Sequence, residues 1–165
     1  MYDPSPLRSK STELPDEAAT LALGGAIAGQ LSAGDCIHLA GNLGAGKTTL
    51  ARGILRGLGF EGRVKSPTYT LVELYVVSAL NLYHFDFYRF SDPEEWNDAG
   101  FRDLFNSTNV CLVEWPDKAG ELLTLPDLEI HLTPTPSMGR EAKITAHTAR
   151  GLAMLKALIS IKSNA

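Results

Sequence analysis

The sequence predicts an α/β domain: a mixed sheet with a parallel core and an antiparallel portion, flanked by helices. Three observations carry that expectation. Short apolar runs at Cys36 to Ala40 and Val110 to Val113 have the length and composition of buried strands. Apolar residues at helical spacing recur near both ends and directly after a glycine-rich turn. Aromatic and β-branched residues crowd Tyr69 to Val77 and Leu80 to Phe87, as paired strands require.

Residues 1–12 are rich in Pro, Ser and charge and are expected to form a loose arm ahead of one nucleotide-binding domain over 13–165. Pro15 to Leu31 is the first helix, with Ala18, Leu21, Ala22, Ile27, Ala28 and Leu31 near helical spacing. Gly24 and Gly25 lower its intrinsic propensity, so packing must hold it. The strand at Cys36 to Ala40 leads through the glycine turn into a second helix, Lys47 to Leu58. The two aromatic segments meet across Ser78-Ala79, which suggests a hairpin.

Acidic residues from Asp92 to Asp103 suggest short helices separated near Gly100, and Trp96 and Phe101 among them fit either a partner surface or ordinary packing. After the strand ending at Glu114-Trp115, Pro116 suits the first turn of a short helix to Leu123. Leu128 to Leu132 and Glu141 to Thr148 alternate as strands, with a Pro and Gly loop between them. The final helix runs from about Ala149 to Ile161, where Leu152, Leu155, Leu158 and Ile161 can cover a sheet.

A chain of 165 residues fits one hydrophobic core. The formal charge of -4 excludes a protein-wide attraction to nucleic acid or an anionic membrane and leaves room for a local basic site. No run approaches the ~20 apolar residues of a membrane helix, and the first residues lack the apolar core of a secretory signal. A cytoplasmic location is expected. Cys36 and Cys111 each sit in an apolar run and are expected to be buried thiols, not a disulfide.

The chemistry concentrates at Gly41-Asn42-Leu43-Gly44-Ala45-Gly46-Lys47-Thr48, a complete P-loop pattern between a strand and a helix. The glycines admit close phosphate approach, while loop amides and the helix N-terminus present donors to phosphate oxygens. Lys47 can reach the β- and γ-phosphates, and the Thr48 hydroxyl can join a magnesium shell. Thr49 packs or caps the turn. Such a site also needs acids for the metal and a group for the attacking water. Glu114 is the first choice for the distal acid, with Asp86 as a second magnesium or water-positioning group; either alone could be a strand-end surface residue. Thr68, in Ser66-Pro67-Thr68, could bind metal or water from a mobile loop, or belong only to a Pro-stiffened turn. His84 shares a strand face with Asp86, but two ligands are too few for zinc. Arg89 could meet phosphate or pair with the acidic segment. Trp115 could stack near a base, form an interface or fill the core.

Four segments together resemble the bacterial TsaE family: Leu39 to Thr49, Ser66 to Val72, His84-Phe85-Asp86-Phe87-Tyr88-Arg89 and Glu114-Trp115. The similarity extends from about Glu13 through the final helix. It implies a P-loop ATPase of tRNA threonylcarbamoyladenosine biosynthesis, with ATP and Mg2+ as cofactors. Lys47 and Thr48 would stand at phosphate and magnesium, Glu114 would be the Walker B-like acid, and Thr68 and Asp86 would be functional residues of the loop and strand. Asn42 to Thr49 and Trp115 would line the nucleotide. The resemblance further implies work with the TsaD and TsaB subunits, which carry threonylcarbamoyl transfer to adenosine 37, so that tRNA is met through the assembly. A small-molecule kinase and an ATP-dependent protein-binding switch with little hydrolysis are the rival functions that the same phosphate site allows.

Overall fold

The computed structural model describes residues 6–163; residues 1–5 of the expected arm and the last two residues lie outside it, as does the side chain of Ile161. Its strands are β1 (Arg8–Leu14), β2 (Cys36–Ala40), β3 (Val72–Val77), β4 (Leu80–Asp86), β5 (Asn109–Glu114), β6 (Leu128–Pro134) and β7 (Arg140–Ala146). The helices are α1 (Glu17–Ala28), α2 (Lys47–Gly57), α3 (Pro93–Asp98), α4 (Phe101–Leu104) and α5 (Ala149–Ser163). One mixed sheet has the order β1-β7-β6-β2-β5-β4-β3. Strands β6, β2, β5 and β4 are parallel to one another and form the expected parallel core, while β1 and β7 at one end and β3 at the other pair antiparallel.

Burial explains this layout. All six residues of β5 are buried, as befits a central parallel strand covered on both faces. On one face, α1, α2 and α5 pack Ile27, Leu50, Ile54, Leu155 and Leu158 against Ile37, Leu39, Leu112 and Ile130 of the sheet. On the other, α3 and α4 close an aromatic cluster of Phe85, Phe87, Phe90, Trp96 and Phe101 over β4 and β5. Trp96 and Phe101 are 1% and 4% exposed, so they are core residues and present no partner surface.

Helix α1 depends on packing, as its glycines require. A Cβ on Gly24 would stand 2.7 Å from the Gly53 backbone of α2, so the two helices touch main chain to main chain at this pair. Asp16 caps the helix by accepting from the Ala19 N–H at 2.8 Å.

Four local expectations are corrected. Residues 8–12 of the expected arm belong to β1, which pairs with β7 from Arg8↔Ala146 to Leu14↔Arg140. Its side chains are mostly exposed, so lateral hydrogen bonding and not a buried stripe makes it a strand. Strand β3 begins at Val72, because Leu71 has φ 69 and ends a turn over residues 68–70. The helix expected from Pro116 is two 3-10 turns, Pro116–Lys118 and Gly120–Leu122, interrupted where Gly120 has φ 52. Among the described residues Arg89 makes no ion pair with the acidic segment; its guanidinium lies 4.6 Å from the Tyr69 ring centre. The expected hairpin is present, with Ser78 and Ala79 both at positive φ, the twist that two-residue hairpin loops need.

Cys36 and Cys111 are register partners across β2 and β5, and both are free thiols. Cys111 is buried and Cys36 partly so. Burial pushes the Cys111 thiol up to about 12 and the Cys36 thiol well above its usual range.

Candidate functional site

The chain leaves β2 at Ala40 and enters α2 at Lys47, and the turn between them is built by left-handed backbone. Gly41, Gly44 and Gly46 have φ 140, 78 and 102. At Gly41 a Cβ would also stand 2.6 Å from the Leu132 carbonyl oxygen, so the first glycine of the motif is required by close approach as well as by conformation. Leu43 at the top of the turn is 67% exposed.

Lys47, at the first position of α2, is only 5% exposed. Its Nζ donates to the carbonyls of Gly41 and Asn42 and sits 4.1 Å from the Trp115 ring centre, a cation–π geometry. Burial pulls its pKa down, while Glu114, Asp86 and Asp117 oppose that shift. Trp115 itself has φ 56 and packs on Tyr88 at 5.0 Å between ring centres.

The acids come from adjacent parallel strands. Asp86 and Glu114 are register partners at the ends of β4 and β5 and face the helix that carries Lys47 and Thr48. The Thr48 hydroxyl donates to Glu114 Oε1 at 3.4 Å. Glu114 Oε2 lies 2.6 Å from His84 Nε2, a pair buried on both sides. An ionised carboxylate there requires the proton on Nε2 of His84. Asp86 accepts from the Thr68 hydroxyl at 3.2 Å and the Tyr88 N–H at 2.9 Å. Burial raises the Asp86 pKa, Glu114 adds to the rise, and the two hydrogen bonds resist it.

A cavity of about 330 Å³ gathers Leu43 to Thr49, Ser66, Thr68, Asp86, Glu114, Trp115 and Arg140. Of the residues singled out from the sequence for this site, Gly41, Asn42, His84 and Arg89 are outside that lining; Gly41 and Asn42 border a larger neighbouring cavity that also includes Trp115. Thr49 lines the phosphate-loop cavity and not merely the helix turn.

Two contributors escaped the sequence pattern. Arg140 opens β7 and donates from Nε to Ala45 O at 2.9 Å and from Nη2 to Gly44 O at 3.0 Å. It holds the outer side of the loop by its carbonyls, which turns the same peptide units' N–H groups the other way. A lone arginine 95 residues from its contact carries no local signal. His84 was visible as a neighbour of Asp86, but its hydrogen bond to Glu114 needs the β4–β5 register, which spacing does not supply.

The donor set suits a magnesium nucleotide. Two hydroxyls and two carboxylates are hard oxygen ligands, and too few to enclose magnesium without water or phosphate oxygens. Among the described residues no group of three or more His, Cys, Asp or Glu could hold a metal ion. Lys47 and Arg140 supply positive charge, and the space beside Gly44 is open, with no atom within 4 Å of a Cβ built there.

The family model described as Threonylcarbamoyl adenosine biosynthesis protein TsaE matches residues 14–142. A protein of Haemophilus influenzae named tRNA threonylcarbamoyladenosine biosynthesis protein TsaE is 51% identical over 96 residues, covering 58% of this chain and 61% of that protein. The protein of the same name from Bacillus subtilis is 42% identical over 113 residues, 68% of this chain and 70% of the relative. The crystal structure of Bacillus subtilis YdiB superposes with a TM-score of 0.78 at 30% identity, covering 94% of this chain and 97% of that one.

Proposed function

Because the chain belongs to the TsaE family, we propose that it serves tRNA threonylcarbamoyladenosine biosynthesis as a magnesium-dependent ATPase. The observation that carries the reading is the convergence of Lys47, Thr48, Thr68, Asp86 and Glu114 on one cavity at the N-terminus of α2. Phosphate binds there to the loop amides, the helix terminus and Lys47. In the structure Lys47 is bonded to its own loop carbonyls, which keeps its charge at the cavity without an acidic partner in contact.

Thr48, Glu114 and Asp86 would hold magnesium, directly or through water, and the ion when bound would offset charge on the phosphoryl oxygens. Thr68, whose hydroxyl donates to Asp86, would orient a water. His84 fixes Glu114 so that its other oxygen faces Thr48. Lys47 and the loop amides would stabilise the charge that develops during transfer. The nucleotide is ATP and the products ADP and phosphate.

The partners of this reading are the TsaD and TsaB subunits, with tRNA met through them in the cytoplasm; the net charge of -4 fits an indirect role toward RNA. No helix among the described residues is long and apolar enough to cross a membrane.

The test is phosphate release from radiolabelled ATP by the chain alone and with TsaD and TsaB, alongside Lys47→Ala and Glu114→Ala. Partner-stimulated release that falls by about 10²-fold or more in both variants is the expected result. Tight, partner-sensitive ATP binding with no release would replace hydrolysis by a binding switch. Release only with an added small-molecule acceptor, matched by phosphorylated product, would replace it by a kinase.

A further inference from the structure

A second cavity borders the loop. It measures about 550 Å³ and shares only Trp115 with the phosphate-loop cavity. It lies on the sheet face opposite α1, α2 and α5: Ile37 and Leu39 of β2 point into the core beneath those helices, so His38 between them points to the other side. Glu129 is the register partner of His38 on β6, and His147 follows β7 beside it. The segment from Trp115 to Pro126 forms the facing wall.

Three histidine ring nitrogens here have no hydrogen-bond partner among the described residues. His38 is 6% exposed and its Nε2 has no hydrogen-bond partner. His147 has neither ring nitrogen hydrogen-bonded, although its Nε2 stands 3.6 Å from Glu129 Oε2. A buried polar atom without a partner costs free energy that a bound group could recover. The His38 pKa is lowered to about 4, first by burial and then by His147, so this ring is neutral at physiological pH and offers an acceptor.

The sign of the charge selects the ligand. Glu129 and Asp117 line the cavity, and no Lys or Arg does. Lys143, the register partner of His131, shares this sheet face but is not part of the lining. Lys47 belongs to the neighbouring cavity, where its Nζ is held by the Gly41 and Asn42 carbonyls and the Trp115 ring, so within this lining an anion would meet two carboxylates and no cationic side chain. The opposite wall is the Trp115 indole with Leu123 and Leu125. A carboxylate on one side and an indole on the other suit a planar cation, which can accept two-point hydrogen bonding and stack. An ammonium, compact and strongly hydrated, would use the carboxylate and waste the indole face. A metal ion is disfavoured by the geometry, since no three of these side chains converge on one point.

We propose that this cavity is a second binding site, adjoining the nucleotide site at Asn42 and Trp115, and that it takes the guanidinium of an arginine side chain presented by a protein partner. Glu129 would receive the fork, Trp115 would stack on its face, and His38 and His147 would supply the remaining acceptors.

Imidazole and indole NMR signals of the isotopically labelled full chain test it, using a capped Gly-Arg-Gly peptide, its norleucine counterpart and butylguanidinium. The arginine peptide should shift the His38 and His147 signals saturably while the norleucine peptide does not. Glu129→Gln, at a position 38% exposed on its side chain, should remain folded and weaken the binding by about tenfold or more. Asp117→Asn, at an exposed position of the first 3-10 turn, provides a second charge deletion and should also weaken it. The proposal is overturned if no saturable shift occurs, if the norleucine peptide binds equally, or if both variants bind as the parent does. Displacement of the peptide by adenosine would make the cavity a base pocket, and binding of butylguanidinium with exclusion of the peptide would make it a small-molecule site; either ends the proposal.

Discussion

His84 and Asp86 sit two residues apart on β4 and act on the site in opposite energetic senses. His84 is wholly buried and satisfies Glu114, so its replacement leaves a carboxylate oxygen in the interior without its donor. His84→Ala should lower stability by about 1–3 kcal/mol in urea unfolding and reduce turnover more than nucleotide affinity. His84→Asn, which keeps a donor, should recover part of both; turnover unchanged in a folded alanine variant would remove His84 from the site. Asp86 carries the reverse cost. Its folded-state pKa is raised above the ordinary value of 3.8, chiefly by burial, so the folded chain holds this proton more tightly than the unfolded one. The contribution to stability is favourable below the ordinary value and is lost as pH rises through the folded one. Asp86→Asn should therefore unfold at higher urea than the parent at pH 7, with the difference vanishing toward low pH, while ATP turnover falls. A variant less stable than the parent at pH 7 would show that the Tyr88 and Thr68 bonds outweigh burial. Such a gain in stability with a loss of function is common where a site holds charge away from water. The loop residues and both acids stand out in the sequence because a strand end and a glycine spacing are local signals. Arg140 does not, because its partners are main-chain carbonyls that any residue supplies.

At the scale of elements, the α1–α2 contact turns two adjacent glycines into different problems. Gly24 faces the Gly53 backbone, and a Cβ there would come within 2.7 Å of atoms that cannot rotate away. Gly25 has nothing within 4 Å of the same added carbon. Gly24→Ala should thus destabilise by about 1–3 kcal/mol by forcing the helices apart. Gly25→Ala should be neutral or stabilise by up to about 1 kcal/mol, since alanine restricts the unfolded chain and favours helix. Thermal or urea unfolding of the two variants measures the contrast, and equal effects would mean that α1 is held some other way. From the sequence, both glycines carry the same propensity penalty, and only the neighbouring helix separates them. Helices and central strands were legible because each has an apolar period. Strand β1 was not, since a mostly exposed edge strand needs only a partner for its main chain, and β7 lies more than a hundred residues away. The two 3-10 turns after Trp115 were misjudged as one helix for a related reason: Pro116 signals a start, but the break at Gly120 is a backbone conformation that glycine permits without announcing.

For the molecule as a whole, the two sheet faces are filled unequally, and that asymmetry should govern its response to acid. One face is covered by α1, α2 and α5; the other has its aromatic cluster over β4 and β5, while His38 on β2 is enclosed by the segment after Trp115 without a partner for Nε2. The aromatic half was readable as strands rich in Phe and Tyr, but which aromatics turn inward depends on the closing helices, as Trp96 shows. His38 was invisible as a buried group because a polar residue in an apolar strand looks the same whether it is paired or orphaned. Folding lowers its pKa from 6.5 to about 4. An unfolded chain therefore takes up a proton at this residue as pH falls through 6.5, while the folded chain resists until about 4. Protonation favours unfolding across that window, and the full shift is worth about 3 kcal/mol. Urea midpoints of the parent should fall between pH 7 and pH 4 by more than those of His38→Gln, which has no proton to gain. Parallel curves for the two proteins would place the acid sensitivity elsewhere. A smaller pH loss in the presence of the arginine peptide would join this stability term to the second cavity, because a ligand that binds only the folded chain opposes the same unfolding step that acid promotes.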